Sequence, residues 1–175
     1  MKKINFVMMQ TAHNFASMSY AKRKQVGAVI SNQGRIVACG YNGTIPGADN
    51  CCEIACSECN GTGVVDNPAF SIDETETVTT MKCPSCGGQG EVTNEFVLHA
   101  EQNLLTFCNR EGLKTEGCTL YVTMAPCKTC SKLIASAGIK EIFYDEAYRD
   151  LYGVQFLKDL GLKVEQIKGK SDAKI

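Results

Sequence analysis

Cys56 and Cys59, Cys83 and Cys86, and Cys127 and Cys130 form three C-x-x-C pairs, and His99 stands two residues before Glu101. Each pair can present two thiolates to one metal ion. One imidazole and two thiolates, from His99, Cys127 and Cys130, leave the fourth tetrahedral position to water, the arrangement of a catalytic zinc. Glu101 is then free to act as the base. Cys127 and Cys130 are three apart and share a helical face, on a helix opened by Pro126. His99 and Glu101 are turned about 200° apart on a regular helix, so they converge only at a first turn. A site between two helix N-termini would also stabilise thiolate and hydroxide.

The other two pairs lie in "CSECNGTG" at 56–63 and "CPSCGGQG" at 83–90, both C-x-x-C-x-G-x-G. Four thiolates from Cys56, Cys59, Cys83 and Cys86 leave zinc no open position, so this site is structural and does not carry a reaction. The paired knuckles resemble the cysteine-rich zinc modules of J-domain chaperones, and the likeness stops at the knuckles. There the glycines let the chain turn so that backbone amides approach sulfur. Zinc binding to such a site contributes on the order of 10 kcal/mol or more to folding.

Of the eleven cysteines, Cys39, Cys108 and Cys118 fall in apolar-patterned elements and are expected to be buried packing residues. Cys51 and Cys52 sit near the knuckles and are possible additional or replacement ligands. His13 is expected on the surface of the N-terminal helix.

A chain of 175 residues, 44% hydrophobic, buries one good core. It is expected to be a single domain over 1–175 with a cysteine-rich zinc module inserted at 50–94, where Gly, Thr, Asp, Glu and Cys replace apolar periodicity. No apolar run approaches a membrane span and no signal peptide is recognisable, so a cytoplasmic protein with reduced thiols is expected. The formal charge of −1 is a poor match to a polynucleotide, which demands an extensive basic face. The "KRK" at 22–24 is a local basic cluster suited to a small anionic ligand.

The elements that must position these residues follow from periodicity. Ile4, Val7, Met8, Phe15 and Met18 mark a helix over 4–18, and "QVGAVIS" and "RIVACG" around "NQG" a hairpin. "FVLHAEQNLLTFCNREG" reads as a helix ended by Gly112, "CTLYVT" as a strand, and "APCKTCSKLIASAG" as a helix ended by Gly138. "KEIFYD" is a strand, 148–160 a helix and "KVEQI" a last strand, with a frayed tail "KGKSDAKI". The alternation predicts a mixed sheet covered by helices on both faces.

Residues 99–130, with H-x-E followed by P-C-x-x-C, resemble the zinc-dependent cytidine and deoxycytidylate deaminase superfamily. "RKQVGAVI" at 23–30 and "GYNGTIPG" at 40–47 are similar to the deoxycytidylate deaminases in particular. The resemblance implies a three-layer α/β/α cytidine-deaminase-like fold on a mixed five-stranded sheet. It implies deamination of dCMP to dUMP and ammonia, by a hydroxide held on zinc, with Glu101 passing protons to N3 and to the departing amine.

By the same resemblance the backbone N–H of Ala100 holds the ring carbonyl, Asn42 the sugar hydroxyl and Arg23 the 5′-phosphate. Tyr148 lies near the substrate. The relatives imply a homo-oligomer, a hexamer, activated by dCTP and inhibited by dTTP, with Gly40, Tyr41, Asn42 and Gly43 as a flexible effector loop. Two zinc ions per chain are expected, one catalytic and one structural. Two other readings stay open: a deaminase of cytidine, guanine or a transfer RNA adenosine, and a zinc-knuckle binding module on an inactive deaminase scaffold.

Overall fold

The computed structural model describes residues 2–67 and 80–168. In chain order the elements are α1 (Lys3–Ala16), β1 (Gly27–Asn32), β2 (Arg35–Tyr41), β3 (Gly43–Thr44), β4 (Glu53–Ala55), β5 (Val64–Asp66), β6 (Thr80–Lys82) and β7 (Glu91–Thr93). Then follow β8 (Val97–Leu98), α2 (Ala100–Arg110), β9 (Thr119–Met124), α3 (Lys128–Ser136), β10 (Glu141–Glu146), α4 (Tyr152–Asp159) and β11 (Lys163–Gln166). The chain divides into one compact unit of Met1–Asn50 with Val97–Ile175, and a second of Cys51–Phe96.

The first unit is built on a five-stranded sheet of order β11-β10-β9-β1-β2. β1 runs antiparallel to both β2 and β9, while β9, β10 and β11 are parallel, so the sheet is mixed. Its central strands are apolar on both faces because both faces are covered. Ala28, Ile30, Leu120, Val122, Ile142 and Tyr144 face a core shared with Leu104 and Cys108 of α2, Ile134 of α3 and Leu157 of α4. The alternate residues Val29, Tyr121 and Phe143 face Met8, Met9 and Ala12 of α1. The expected three-layer α/β/α fold is therefore borne out.

Three sequence expectations need correction. The stripe on α1 is the predicted one only at Met8: Ile4, Val7 and Met18 are 38%, 54% and 53% exposed, and the buried face is Met8, Met9, Ala12 and Ala16. The helix backbone comes so close to β1 that a Cβ on Gly27 would overlap the carbonyl oxygen of Ala12 and lie 2.5 Å from the amide of Ala16. Only small side chains fit that seam, and alanine carries little apolar signal.

The second correction concerns α3, which begins at Lys128, with Cys127 as an extended N-cap and Pro126 before it. The third concerns α4, which begins at Tyr152 rather than 148, with Asp150 Oδ1 accepting the Tyr152 N–H at 3.3 Å. The hairpin is found as expected, turning on Gln33 and Gly34, both at positive φ. Most of the tail, residues 169–175, lies outside the described residues. Among the described residues no helix is long and apolar enough to cross a membrane.

The second unit carries two small antiparallel pairs, β4 with β7 and β5 with β6, around a cluster of Cys56, Cys59, Cys83 and Cys86. Its two halves repeat each other. The Cys56 N–H donates to the Gly90 carbonyl at 2.7 Å, and the Cys83 N–H donates to the Gly63 carbonyl at 2.9 Å.

Candidate active site and metal centres

His99 and Cys127 are the N-caps of α2 and α3, both in extended backbone, and Cys130 lies in the first turn of α3. The caps bring the two helix starts together. Cys127 Sγ lies 3.6 Å and Cys130 Sγ 3.4 Å from His99 Nδ1. A tetrahedral zinc with ordinary bond lengths needs sulfur–nitrogen separations of about 3.6 Å, so the three ligand atoms fit the ion. Gln102 Oε1 accepts the His99 N–H at 2.8 Å and holds the cap in place. With His99 in place of Ser, Thr, Asp or Asn at the cap, the sequence carries no ordinary capping signature that points to Gln102.

The electrostatics suit a proton-moving site. Glu101 is 4% exposed, and burial raises its carboxyl to about 7, despite the neighbouring His99. The Cys127 thiol is lowered to about 3 by the Cys130 thiol and then by His99, while Cys130 is raised in turn. The imidazole of His99 is raised chiefly by its hydrogen bond with Cys127. A dication bound by these three side chains would take the place of protons they hold in its absence.

The residues expected at the substrate are distributed unevenly. Ala100 opens α2 and is fully buried, with an N–H at the end of the helix that offers no internal acceptor. Asn42 is 9% exposed, but its side chain serves the main chain: Oδ1 accepts the Val26 N–H at 2.8 Å and Nδ2 donates to the Lys24 carbonyl at 2.9 Å. Arg23 is exposed. Tyr148 is half-buried against the main core, with the Arg149 guanidinium 5.4 Å from its ring centre.

The stretch Gly40 to Gly43 is not the flexible loop expected. Gly40 and Tyr41 end β2, and Gly43 opens β3, which pairs with β8. His13 is also more than a surface residue, since its Nε2 lies 2.7 Å from Asp145 Oδ2, joining α1 to β10.

In the second unit, sulfur separations of 3.8 Å for Cys56–Cys83 and 3.7 Å for Cys59–Cys86 match the edge of about 3.8 Å of a tetrahedral zinc tetrathiolate. The Gly63 N–H donates to Cys59 Sγ and the Gly90 N–H to Cys86 Sγ, both at 3.2 Å. A Cβ on Gly63 would lie 2.5 Å from the Gly88 carbonyl oxygen, and one on Gly90 would overlap that of Gly61. Burial works to raise Cys86, but amide donors from Gly90 and Gly88 outweigh it and hold the thiol at about 7. Cys83 is pushed up to about 12, chiefly by burial. Among the described residues Cys51 and Cys52 do not join this cluster, and the Cys51 thiol donates to the Glu53 carbonyl instead. Cys108 and Cys118 are buried and Cys39 packs partly buried under α1, all three as packing residues.

The cytidine and deoxycytidylate deaminase zinc-binding region matches residues 2–146. A deoxycytidylate deaminase of Enterobacteria phage T4 is 34% identical over 154 residues, 81% of this chain and 77% of its own length. ComE operon protein 2 of Bacillus subtilis is 31% identical over 165 residues, 94% of this chain and 71% of its own. The crystal structure of dCMP deaminase from the cyanophage S-TIM5 in complex with dCMP and dUMP superposes with a TM-score of 0.71. It is 36% identical and covers 95% of this chain and 99% of its own.

Proposed function

The chain belongs to the cytidine and deoxycytidylate deaminase family, and from that membership we propose that it deaminates dCMP hydrolytically to dUMP and ammonia. The observation that carries this is the meeting of His99, Cys127 and Cys130 at zinc-ligand separations beside the buried carboxyl of Glu101. Zinc held by these three residues supplies a Lewis acid that lowers the pKa of a water molecule toward neutrality. Glu101, whose carboxyl is buried beside these ligands, takes the proton released by that water as a carboxylate, delivers it to N3 of the ring and later passes a second proton to the departing amine.

The Ala100 N–H, at the positive end of α2, holds the ring carbonyl. Asn42 reaches the sugar hydroxyl with the amide hydrogen and lone pair left over from its main-chain bonds. Arg23 meets the 5′-phosphate, and Tyr148 borders the site. An inactive scaffold would have no use for the intact proton shuttle.

Cys56, Cys59, Cys83 and Cys86 hold a second, structural zinc, giving two per chain. By likeness to relatives carrying a similar "GYNG" stretch, the enzyme is a hexamer activated by dCTP and inhibited by dTTP. Gly40, Tyr41, Asn42 and Gly43 then contact the effector from their strand positions. Ammonia release measured across dCMP, dCTP, CMP, deoxycytidine, guanine and an adenosine-containing RNA tests the substrate. Turnover of another substrate in preference to dCMP would reject the reading. Hyperbolic kinetics unmoved by either triphosphate would remove the regulatory part, and a monomeric mass by light scattering would remove the hexamer.

A further inference from the structure

Asn103 lies two residues beyond Glu101 in α2, and neither the metal ligands nor the proton transfer uses it. Its Nδ2 donates to the Tyr41 carbonyl at 2.9 Å, tying the catalytic helix to the end of β2. Beside that bond Gly40 lies against the same helix: a Cβ there would stand 3.1 Å from the Cβ of Leu104 and 3.3 Å from the Ala100 carbonyl. The height of Tyr41 over α2 is thus set by one side-chain hydrogen bond and one close approach.

From Tyr41 the constraint passes straight to the basic segment. Asn42 grips that segment from both sides of its own backbone and side chain. Its N–H donates to the Val26 carbonyl at 3.0 Å, its Oδ1 accepts from Val26, and its Nδ2 donates to Lys24. Its carbonyl accepts the Ser19 hydroxyl at 2.8 Å, at the entry to the same segment. Lys24 in turn reaches Glu146 Oε2 at 2.5 Å, on the strand that precedes Tyr148. Lys22, Arg23 and Lys24 are therefore carried on a frame joined to α2 by the Asn103 hydrogen bond and by the close approach of Gly40.

Resting on the dCMP reading above, we propose that Asn103 is a positioning residue that sets the basic segment at a fixed height above the catalytic helix, and thereby makes the site selective for a nucleoside 5′-monophosphate over the nucleoside. A cation contributes to binding a phosphate only if it waits where the phosphate arrives. A frame that must be ordered on binding loses part of that contribution. The phosphate contact is taken as formed equally in the ground and transition states, and the loss of such uniform binding is expressed in KM.

The test is Asn103→Asp, which keeps the shape of the side chain but replaces the donor with an oxygen facing the Tyr41 carbonyl. Asn103→Ala accompanies it, without the added charge. Steady-state kinetics on dCMP and deoxycytidine are measured beside zinc content and thermal unfolding. Loss of one such hydrogen bond is expected to raise KM for dCMP about five- to tenfold, with kcat within about twofold. Zinc content stays unchanged, and kcat/KM falls less for deoxycytidine, which shares the sugar contact of Asn42 but lacks the phosphate, than for dCMP. A KM for dCMP that does not move, equal losses on both substrates, a loss carried in kcat, or loss of zinc in both variants would overturn the proposal. A wild-type protein inactive on dCMP would remove the substrate reading itself, and this proposal with it.

Discussion

The carbonyl oxygen of Pro126 occupies the place where a Cβ on Gly153 would sit, so α4 rests directly on the backbone that leads into Cys127. The same missing Cβ would lie 2.5 Å from Ser131 Oγ and 2.9 Å from the Cys127 carbonyl carbon. Ser131 Oγ is buried there and has no hydrogen-bond partner among the described residues. Close packing of α4 has taken precedence over satisfying that hydroxyl.

Gly153→Ala should raise intrinsic helix propensity by about 1 kcal/mol yet lower stability, because overpacking of this kind costs typically 1–3 kcal/mol. The displaced loop carries Cys127, so affinity for the catalytic zinc falls as well. Competition with a chelator followed by elemental analysis reads the effect; wild-type retention of zinc with raised thermal stability would contradict it.

Glu101→Gln should lower kcat on dCMP by about 10³-fold or more, since Gln cannot carry protons, while both zinc ions remain. His99→Ala should lose the catalytic zinc and keep the structural one. Substantial turnover by the Gln variant would end the assignment of Glu101 as the shuttle.

The raised carboxyl of Glu101 also makes a stability prediction for the metal-free protein. A carboxyl whose folded pKa lies above its unfolded value binds more protons in the native state, so stability falls as pH rises between the two values. The window runs from 4.5 to about 7. Metal-free Glu101→Gln should therefore gain on metal-free wild type through that window and hold a constant advantage above it, on the order of 3 kcal/mol. Urea titrations at a series of pH values check the sign, and a difference that does not change with pH would count against it.

Cys59→Ser or Cys86→Ser should release one zinc and lower the thermal midpoint, while dCMP turnover survives at temperatures where the first unit stays folded. Losing a ligand removes a large part of a binding free energy on the order of 10 kcal/mol. A wild-type content of one zinc per chain by elemental analysis would remove the structural site.

What the chain by itself determined is the identity of its reactive groups. His99, Glu101, Cys127 and Cys130 were legible because metal chemistry demands particular atoms at short spacings, and two C-x-x-C-x-G-x-G knuckles announce a tetrathiolate cluster for the same reason. The five strands of the main sheet were legible too, since burial on both faces writes largely apolar runs such as "TLYVTM", whereas the short pairs β3–β8, β4–β7 and β5–β6 were not.

Tertiary structure alone decided matters in which a backbone meets a backbone or a polar group meets a carbonyl. The buried face of α1 is set by close approach at Gly27, which favours Ala12 and Ala16 over the larger Ile4 and Val7. The same holds for the pairing of His13 with Asp145 and for Asn103 with Tyr41. Both pairs of partners lie far apart in the chain, and the carbonyl that Asn103 meets, being main chain, has no residue type by which a sequence could announce it.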